Sequence, residues 1–280
     1  MLPGRRRTPI GHNIEGLQKN LLQLIRYRGL ISSLVARELK ARYRGSVLGF
    51  LWSFINPLLL LSIYTFVFTV VLPNRNPIAQ PYAVFMFCGI LPWNWFSSSL
   101  MEASGSLVSG GNLIKKVLFP AEVLPIVSVL ANMVHFFLGL LILAGFLIGY
   151  RHWPDPAGLV WFPVVVLVQL VFTIALALFL SALTVHYRDI RDLLSNLLMF
   201  WFFATPIIYP WQDENVVRYK SLFALNPFTH IAVTYQEILF FHGPVGHAKW
   251  LLALGAVSVV LFLAAYWFFD LLRDSFAEAV

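Results

Sequence analysis

Apolar residues are concentrated in six stretches that short polar connections separate. A membrane-spanning helix needs about 20 mostly apolar residues to cross the hydrocarbon core. The pattern therefore predicts an all-α integral membrane protein with six transmembrane helices, forming one domain over residues 47–271. We place the six spans at about 47–72, 82–101, 123–148, 160–183, 193–209 and 250–271.

The segment before the first span is predicted to be a cytoplasmic N-terminal region, residues 1–46. Within it, apolar and basic residues of 31–44 fall on opposite faces of a helix, which is typical of a helix lying in the membrane interface. Glu38 and Arg42 break the apolar face, but they lie four residues apart in the favourable order for an ion pair. We expect that pair at the inner interface.

A second amphipathic segment lies between the fifth and sixth predicted spans. Apolar side chains recur at helical spacing over residues 228–239, directly after Asn226-Pro227. On the outer side of the membrane, this segment predicts a surface or half-inserted helix. Residues 272–280 are expected to form a cytoplasmic tail.

The composition supports the membrane assignment. Apolar residues make up 59% of the 280 residues and charged residues 12%, whereas soluble domains average about 45–50% and about 25%. A soluble fold of this size cannot bury so much apolar surface.

The basic residues indicate the orientation of the chain. The net charge of +7 would suggest a nucleic-acid partner in a soluble protein, but ten of the 20 Lys and Arg residues lie before position 47. The predicted cytoplasmic segments hold fifteen of the 20. By the positive-inside rule, both termini are predicted to be cytoplasmic, and the basic N-terminal region is expected to face membrane lipid rather than nucleic acid.

The sequence lacks the residues that several transport mechanisms need. No Asp, Glu, Lys or Arg lies at the centre of a predicted span, which counts against an ion-coupled transporter. No phosphate-binding loop of the G-x-x-x-x-G-K-[ST] type is present. We therefore expect a transport subunit that is not an enzyme and binds no cofactor. Any ATP must be hydrolysed by a partner.

One carboxylate pair keeps an enzymatic alternative open. Asp189 and Asp192 would share a helix face and could bind a metal ion for a membrane-embedded glycosyltransferase. The simpler interpretation is that they cap the fifth span and pair with Arg188 and Arg191. We favour it because no further carboxylate or histidine cluster completes a site.

Aromatic and neutral polar residues are abundant in the predicted spans. Such groups suit a passage for a sugar polymer, since rings stack on apolar faces without holding any one unit tightly. Packing between helices and lipid contact are the alternatives for each ring. The candidate passage residues are Asn56, Tyr64, Trp93, Trp95 and Trp201.

The order of several short motifs resembles a known family, the type-2 ABC export permeases. The similarity is to the polysaccharide and polyol-phosphate branch, which exports O-antigen, capsule or teichoic acid. The motifs are residues 37–49 leading into Trp52 and Asn56-Pro57, residues 89–93, residues 112–116 with Phe119-Pro120, residues 187–190, residues 206–210 and residues 225–227.

The resemblance implies a half-transporter in the cytoplasmic (inner) membrane of a bacterium. Two copies of the chain would pair with two copies of a separate ABC ATPase that uses ATP and Mg²⁺, and the substrate would be a lipid-linked polysaccharide. The loop 104–120 would carry the helix that docks on the ATPase, and short outer helices would line the channel exit. The implied coupling residues are Asn112, Lys115, Lys116, Phe119 and Pro120.

Two alternatives to a polysaccharide exporter stay open from the sequence. One is a type-2 ABC exporter of lipids, drugs or other small molecules. The other, less favoured, is the membrane-embedded glycosyltransferase.

Overall fold

The computed structural model describes residues 26–71, 77–115, 119–241 and 243–279, and this part of the chain is α-helical. Its α-helices are α1 (Arg28–Arg42), α2 (Trp52–Phe66), α3 (Tyr82–Ser109), α4 (Gly111–Ile114), α5 (Val123–Gly149), α6 (Pro156–Leu159), α7 (Phe162–His186), α8 (Ile190–Phe203), α9 (Glu214–Arg218), α10 (Lys220–Ala224), α11 (Pro227–Leu239) and α12 (Ala248–Ala279). Short 3₁₀ turns at Gly49–Leu51 and Pro77–Ala79 precede α2 and α3, and a π-helical turn at Val67–Val71 extends α2.

The centre of the fold is α3, which packs against α5, α7 and α11. Large side chains fill this core with almost no exposure, as is usual when every face of a helix meets another helix. They include Phe85, Phe87, Trp95, Phe96, Phe228 and Tyr235. The helix α12 packs along α7 and completes the bundle.

The first helix packs against the rest of the fold. Leu34 on its apolar face is buried against Val123 and Val127 at the start of α5, with Leu30 and Val35 beside it. The apolar face that the sequence predicts for α1 therefore packs against the start of α5.

In the part of the chain that the structure describes, four helical segments are both long and apolar enough to cross a membrane: Gly49–Phe66, Val123–Gly149, Pro156–His186 and Ala248–Phe276. The other two predicted spans correspond to α3 and α8. Helix α3 has 28 residues, but its second half is rich in serine. Helix α8 has 14 residues, so the predicted fifth span 193–209 is helical only as far as Phe203.

The last helix is longer than the sequence suggested. The predicted sixth span ended at residue 271, followed by a tail, whereas α12 continues to Ala279. Phe269 and Phe276, one on each side of that boundary, pack together at 5.0 Å between ring centroids. This contact continues the buried face of α12 past residue 271.

The predicted outer surface helix corresponds to α11, and its surroundings correct the prediction. Asn226 caps it, because its Oδ1 accepts a hydrogen bond from Phe228 N at 3.0 Å, and Pro227 occupies the first turn. Both its apolar and its polar faces are buried, against α3, α7 and α12. Thr234 and Gln236 are fully buried with the apolar residues, so the segment is an internal helix.

Candidate functional site

A cavity of about 480 Å³ lies between α2, α3 and α8. Its α3 wall is one helical stripe, since the lining residues recur three or four positions apart. Side chains from α2 and α8 complete it. The lining residues are Leu60, Tyr64, Ile90, Trp93, Asn94, Ser97, Ser98, Met101, Glu102, Ser195, Leu198, Met199 and Phe202.

The cavity is suited to a neutral, hydroxyl-rich ligand. Its polar groups are mainly the serines and Asn94, which can exchange hydrogen bonds with hydroxyl groups. Among the described residues that line it, Glu102 is the one that carries a charge. Tyr64 and Trp93 add aromatic rings.

The structure brings only some predicted passage residues to this cavity. Tyr64 and Trp93 line it. Trp95 instead points into the core, where its Nε1 donates to Val129 O at 3.1 Å and its ring stacks on Phe136. Asn56 is exposed on α2 outside the cavity wall.

Trp201 lies behind the cavity and holds the segment before α11 in place. Its Nε1 donates to Asn226 Oδ1 at 2.6 Å. Asn226 Nδ2 in turn donates to Ala204 O and to Thr205 Oγ1. One asparagine thus joins the end of α8 to the start of α11, and its place in the Leu-Asn-Pro motif is the sequence signal for this role.

The charge of Glu102 is compensated inside the protein. Arg42 Nη2 donates to Glu102 Oε2, and Arg42 Nη1 donates to Asn132 Oδ1 at 3.1 Å. Asn132 Nδ2 donates to the same Glu102 oxygen at 2.7 Å. The Nε of Arg42 lies 3.9 Å from Glu38 Oε1, the partner chosen from the sequence.

The main partner of Arg42 is therefore across the fold rather than along α1. Helical spacing could identify only the local pair. The sequence signal for the longer contact is an acidic residue, Glu102, in the second half of α3 together with an amide, Asn132, in the largely apolar α5. The network ties α1 to both helices.

The predicted coupling segment, residues 104–120, is not a loop throughout, because α3 continues to Ser109 and includes its first six residues. A Cβ added to Gly110 would lie 2.4 Å from Leu124 Cδ1 and 2.9 Å from the backbone O of Ser106, so a larger residue in the turn after α3 would force its neighbours to shift. Asn112 and Lys115 are exposed, and Pro120 is partly buried. Lys116 lies outside the described residues.

Phe119, another predicted coupling residue, packs against the protein itself. Its half-buried side chain packs between two clusters of the protein itself. One cluster contains Leu34 of α1, and the other contains Tyr266 of α12. Asn112 and Lys115 are the predicted coupling residues that the described structure leaves open to a partner.

The carboxylate pair gives no support to a metal site. Asp189 and Asp192 are exposed near the start of α8, and Asp189 holds the N-cap position without a side-chain cap bond. Within the described ranges, no three His, Cys, Asp or Glu residues are grouped to hold a metal ion.

On the opposite end of the fold, two histidines join α11 to α12. His247 Nδ1 lies 2.8 Å from Glu237 Oε1. The ring of His230 stacks on Trp250 at 5.2 Å, and its Nε2 donates to Ala224 O at 3.0 Å. Burial lowers the pKa of His230 below its ordinary value, so the ring is neutral at pH 7.

Comparisons with known proteins identify a family and several relatives. The family described as ABC-2 type transporter matches residues 29–240. The O-antigen export system permease protein RfbA of Myxococcus xanthus is 46% identical over 262 residues, covering 92% of this chain and 98% of that protein. A Klebsiella pneumoniae protein of the same name is 30% identical over 249 residues, covering 89% of this chain and 94% of that protein.

The family match spans most of the chain, from α1 to the end of α11. Both relatives are matched over nearly their whole length. The chain belongs to the ABC-2 type transporter family.

Proposed function

We propose that the chain is the permease subunit of an ATP-driven exporter that moves a lipid-linked, O-antigen-like polysaccharide out across the bacterial inner membrane. The observation that carries the proposal is the nearly full-length similarity to two permeases named for O-antigen export. The chemistry of the α2–α3–α8 cavity supports it.

A sliding polymer needs contacts that are weak and repeated. Serine hydroxyls and the rings of Tyr64 and Trp93 offer such contacts along the α3 stripe. Aromatic stacking in a comparable strand-binding setting contributes about 1–3 kcal/mol per unit, so one unit can replace another at little net cost. The Arg42–Glu102–Asn132 network leaves no unpaired charge from Glu102 to trap the chain.

The passage is completed by a second copy of the chain. The outward faces of α2 and α8 are apolar and open, and they flank the cavity. They include Leu59, Ile63, Phe66, Leu197, Phe200 and Phe203. A symmetric homodimer joined at these faces would enclose two cavities around one seam.

Six spans and cytoplasmic termini are part of the proposal. Helix α3, at 28 residues, is about 42 Å long at 1.5 Å per residue, which suffices to cross. Helix α8 reaches the outer side together with the buried turn around Pro206 and Pro210. Six crossings place both termini on the side that holds most Lys and Arg residues.

Two copies of a separate ABC ATPase would drive export and use ATP and Mg²⁺. The exposed Asn112 and Lys115 lie on the proposed cytoplasmic side, where such a subunit would dock. Co-purification of the chain with an ATPase encoded by the same organism tests this part. The permease alone is expected to form a dimer without ATPase activity, and hydrolysis by the purified chain alone would contradict the assignment.

Deletion of the gene that encodes the chain tests whether the substrate is a polysaccharide. Because export would stop after synthesis, lipid-linked polysaccharide should accumulate inside the cell and disappear from the surface. Restoration of the gene should reverse both changes. Unchanged surface polysaccharide, with a loss of lipid or drug export instead, would favour the small-molecule alternative.

A further inference from the structure

A second charged cluster ties the start of α5 to the end of α12. The carboxylate of Glu122 is 3% exposed, and its Oε2 lies 2.9 Å from Arg273 Nη2. Tyr266 OH donates to Glu122 Oε1 at 3.5 Å. Arg273 Nε also lies 3.5 Å from Asp270 Oδ1, three residues earlier on the same helix.

The contact between Glu122 and Arg273 connects two distant parts of the chain and differs from an ordinary surface ion pair. A carboxylate this deeply buried is costly unless it is paired. Its partner lies far away in sequence, on the last helix. The two charged groups are close, but they are not aligned as a hydrogen bond, so the contact depends mainly on charge and position.

The link sits directly beside the proposed coupling segment. Phe119, three residues before Glu122, packs against the cluster that contains Tyr266, Phe269 and Phe276 of α12. The same phenylalanine packs against Leu34 of α1. Displacement of this segment would therefore push on both terminal helices of the described chain at once.

We infer that Glu122 and Arg273 are positioning residues that make the coupling segment and the end of α12 move as one unit, so that a movement imposed by the ATPase reaches the last span. This inference rests on the proposed function. Closely packed elements transmit such shifts because they move together instead of deforming.

The test is a double-mutant cycle in the complex with its ATPase. Arg273→Gln leaves the buried carboxylate of Glu122 without its charged partner, so this variant is expected to lose stability as well as coupling. Glu122→Gln leaves Arg273 partly exposed and still in contact with Asp270, so this variant is expected to lose coupling with a smaller loss of stability. The double variant carries neither charge. It should therefore regain stability and assemble with the ATPase. The amount of polysaccharide that it exports per ATP hydrolysed should nevertheless stay about fivefold or more below that of the parent, which is a typical size for coupling between sites.

Asp270→Asn is the matched control. It removes the carboxylate that contacts Arg273 within α12 and leaves the contact across to Glu122 in place. Export per ATP should therefore equal that of the parent. A double variant that exports with parental coupling, or a control that loses coupling equally, would overturn the inference.

A distance measurement provides a readout that stability alone would not change. Spin labels at Ser109→Cys and Asp274→Cys, both exposed, report the separation of the segment from α12 without replacing a predicted ATPase-docking residue. In the parent complex this distance should stay narrow and unchanged when a non-hydrolysable ATP analogue binds. In the double variant it should shift or broaden. A parental distance that changes with nucleotide would overturn the inference, whereas failure of the parent to bind any ATPase would instead refute the proposed function.

Discussion

The two sides of α3 differ in how tightly they are packed. Towards α5, α7 and α11, α3 meets a dense aromatic core, whereas towards α2 and α8 it borders an open cavity. In the most apolar stretch of Pro156–His186, 50% of the residues are buried, whereas only 11% are buried in Gly49–Phe66. Apolar surface facing lipid carries little penalty in a membrane, so the open side can form an interface that moves while the dense side stays rigid.

The largest expected effect comes from overpacking the dense side. A Cβ at Gly139 would lie 2.5 Å from Leu91 Cδ2 on α3, whereas Gly145 on the same helix has nothing within 4 Å. Gly139→Leu should therefore destabilise the protein by about 1–3 kcal/mol or more. Gly145→Leu, with the same change in helix propensity, is the control.

Thermal unfolding in detergent measures both glycine variants. Gly145→Leu should unfold at or above the parental temperature, and Gly139→Leu well below it. Equal stability of the two would mean that the two sides do not differ in packing as described.

A narrowing of the cavity should reduce export without harming the fold. Ser98 is exposed and lines the cavity, so Ser98→Tyr would fill part of the space between α2, α3 and α8. We expect surface polysaccharide to fall several-fold while expression and dimerisation stay parental. Ser98→Ala, which keeps the space open, should export nearly normally, and equal export by both variants would count against this cavity as the passage.

The dimer seam can be located by cross-linking. Ile63 and Phe200 are exposed on α2 and α8, and the native Cys88 is buried. Ile63→Cys/Phe200→Cys should give covalent dimers with a short bis-maleimide in membranes. Val257→Cys/Val260→Cys, exposed on α12, should give none. Dimers from the α12 pair alone would place the seam elsewhere.

The smallest expected effect is a pH dependence of stability that arises from His230. Because burial lowers the pKa of His230, its neutral form stabilises the folded state. That contribution is present above about pH 6.5 and is lost as the pH falls towards the lowered pKa. Stability followed between pH 7.5 and pH 5 should therefore decrease, and His230→Gln should show a smaller decrease. An identical pH profile in the variant would exclude this histidine as the cause.

The sequence predicted the helical membrane fold and the family, and both are confirmed. Long apolar runs and ordered motifs carry that information locally. The burial of residues 228–239 could not be predicted in the same way. Helical spacing shows which residues share a face, but it does not show that the polar face, with Thr234 and Gln236, is buried as well.

The site was predictable only in part for the same reason. The sequence does not distinguish an aromatic residue that lines a cavity, such as Trp93, from one that packs in the core, such as Trp95. The contacts of Arg42 with Glu102 and of Glu122 with Arg273 join distant segments. A single sequence gives no distance between them.

Capture of the polymer inside the α2–α3–α8 cavity would show whether this cavity is the passage. A photo-reactive amino acid at position 98 would be activated in cells that are making surface polysaccharide, and the same group at position 260 on the exposed face of α12 would serve as the reference. If the cavity is the passage, a polysaccharide adduct should form at position 98 and none at position 260. No adduct at position 98 in a variant that still exports, or equal adducts at both positions, would contradict it.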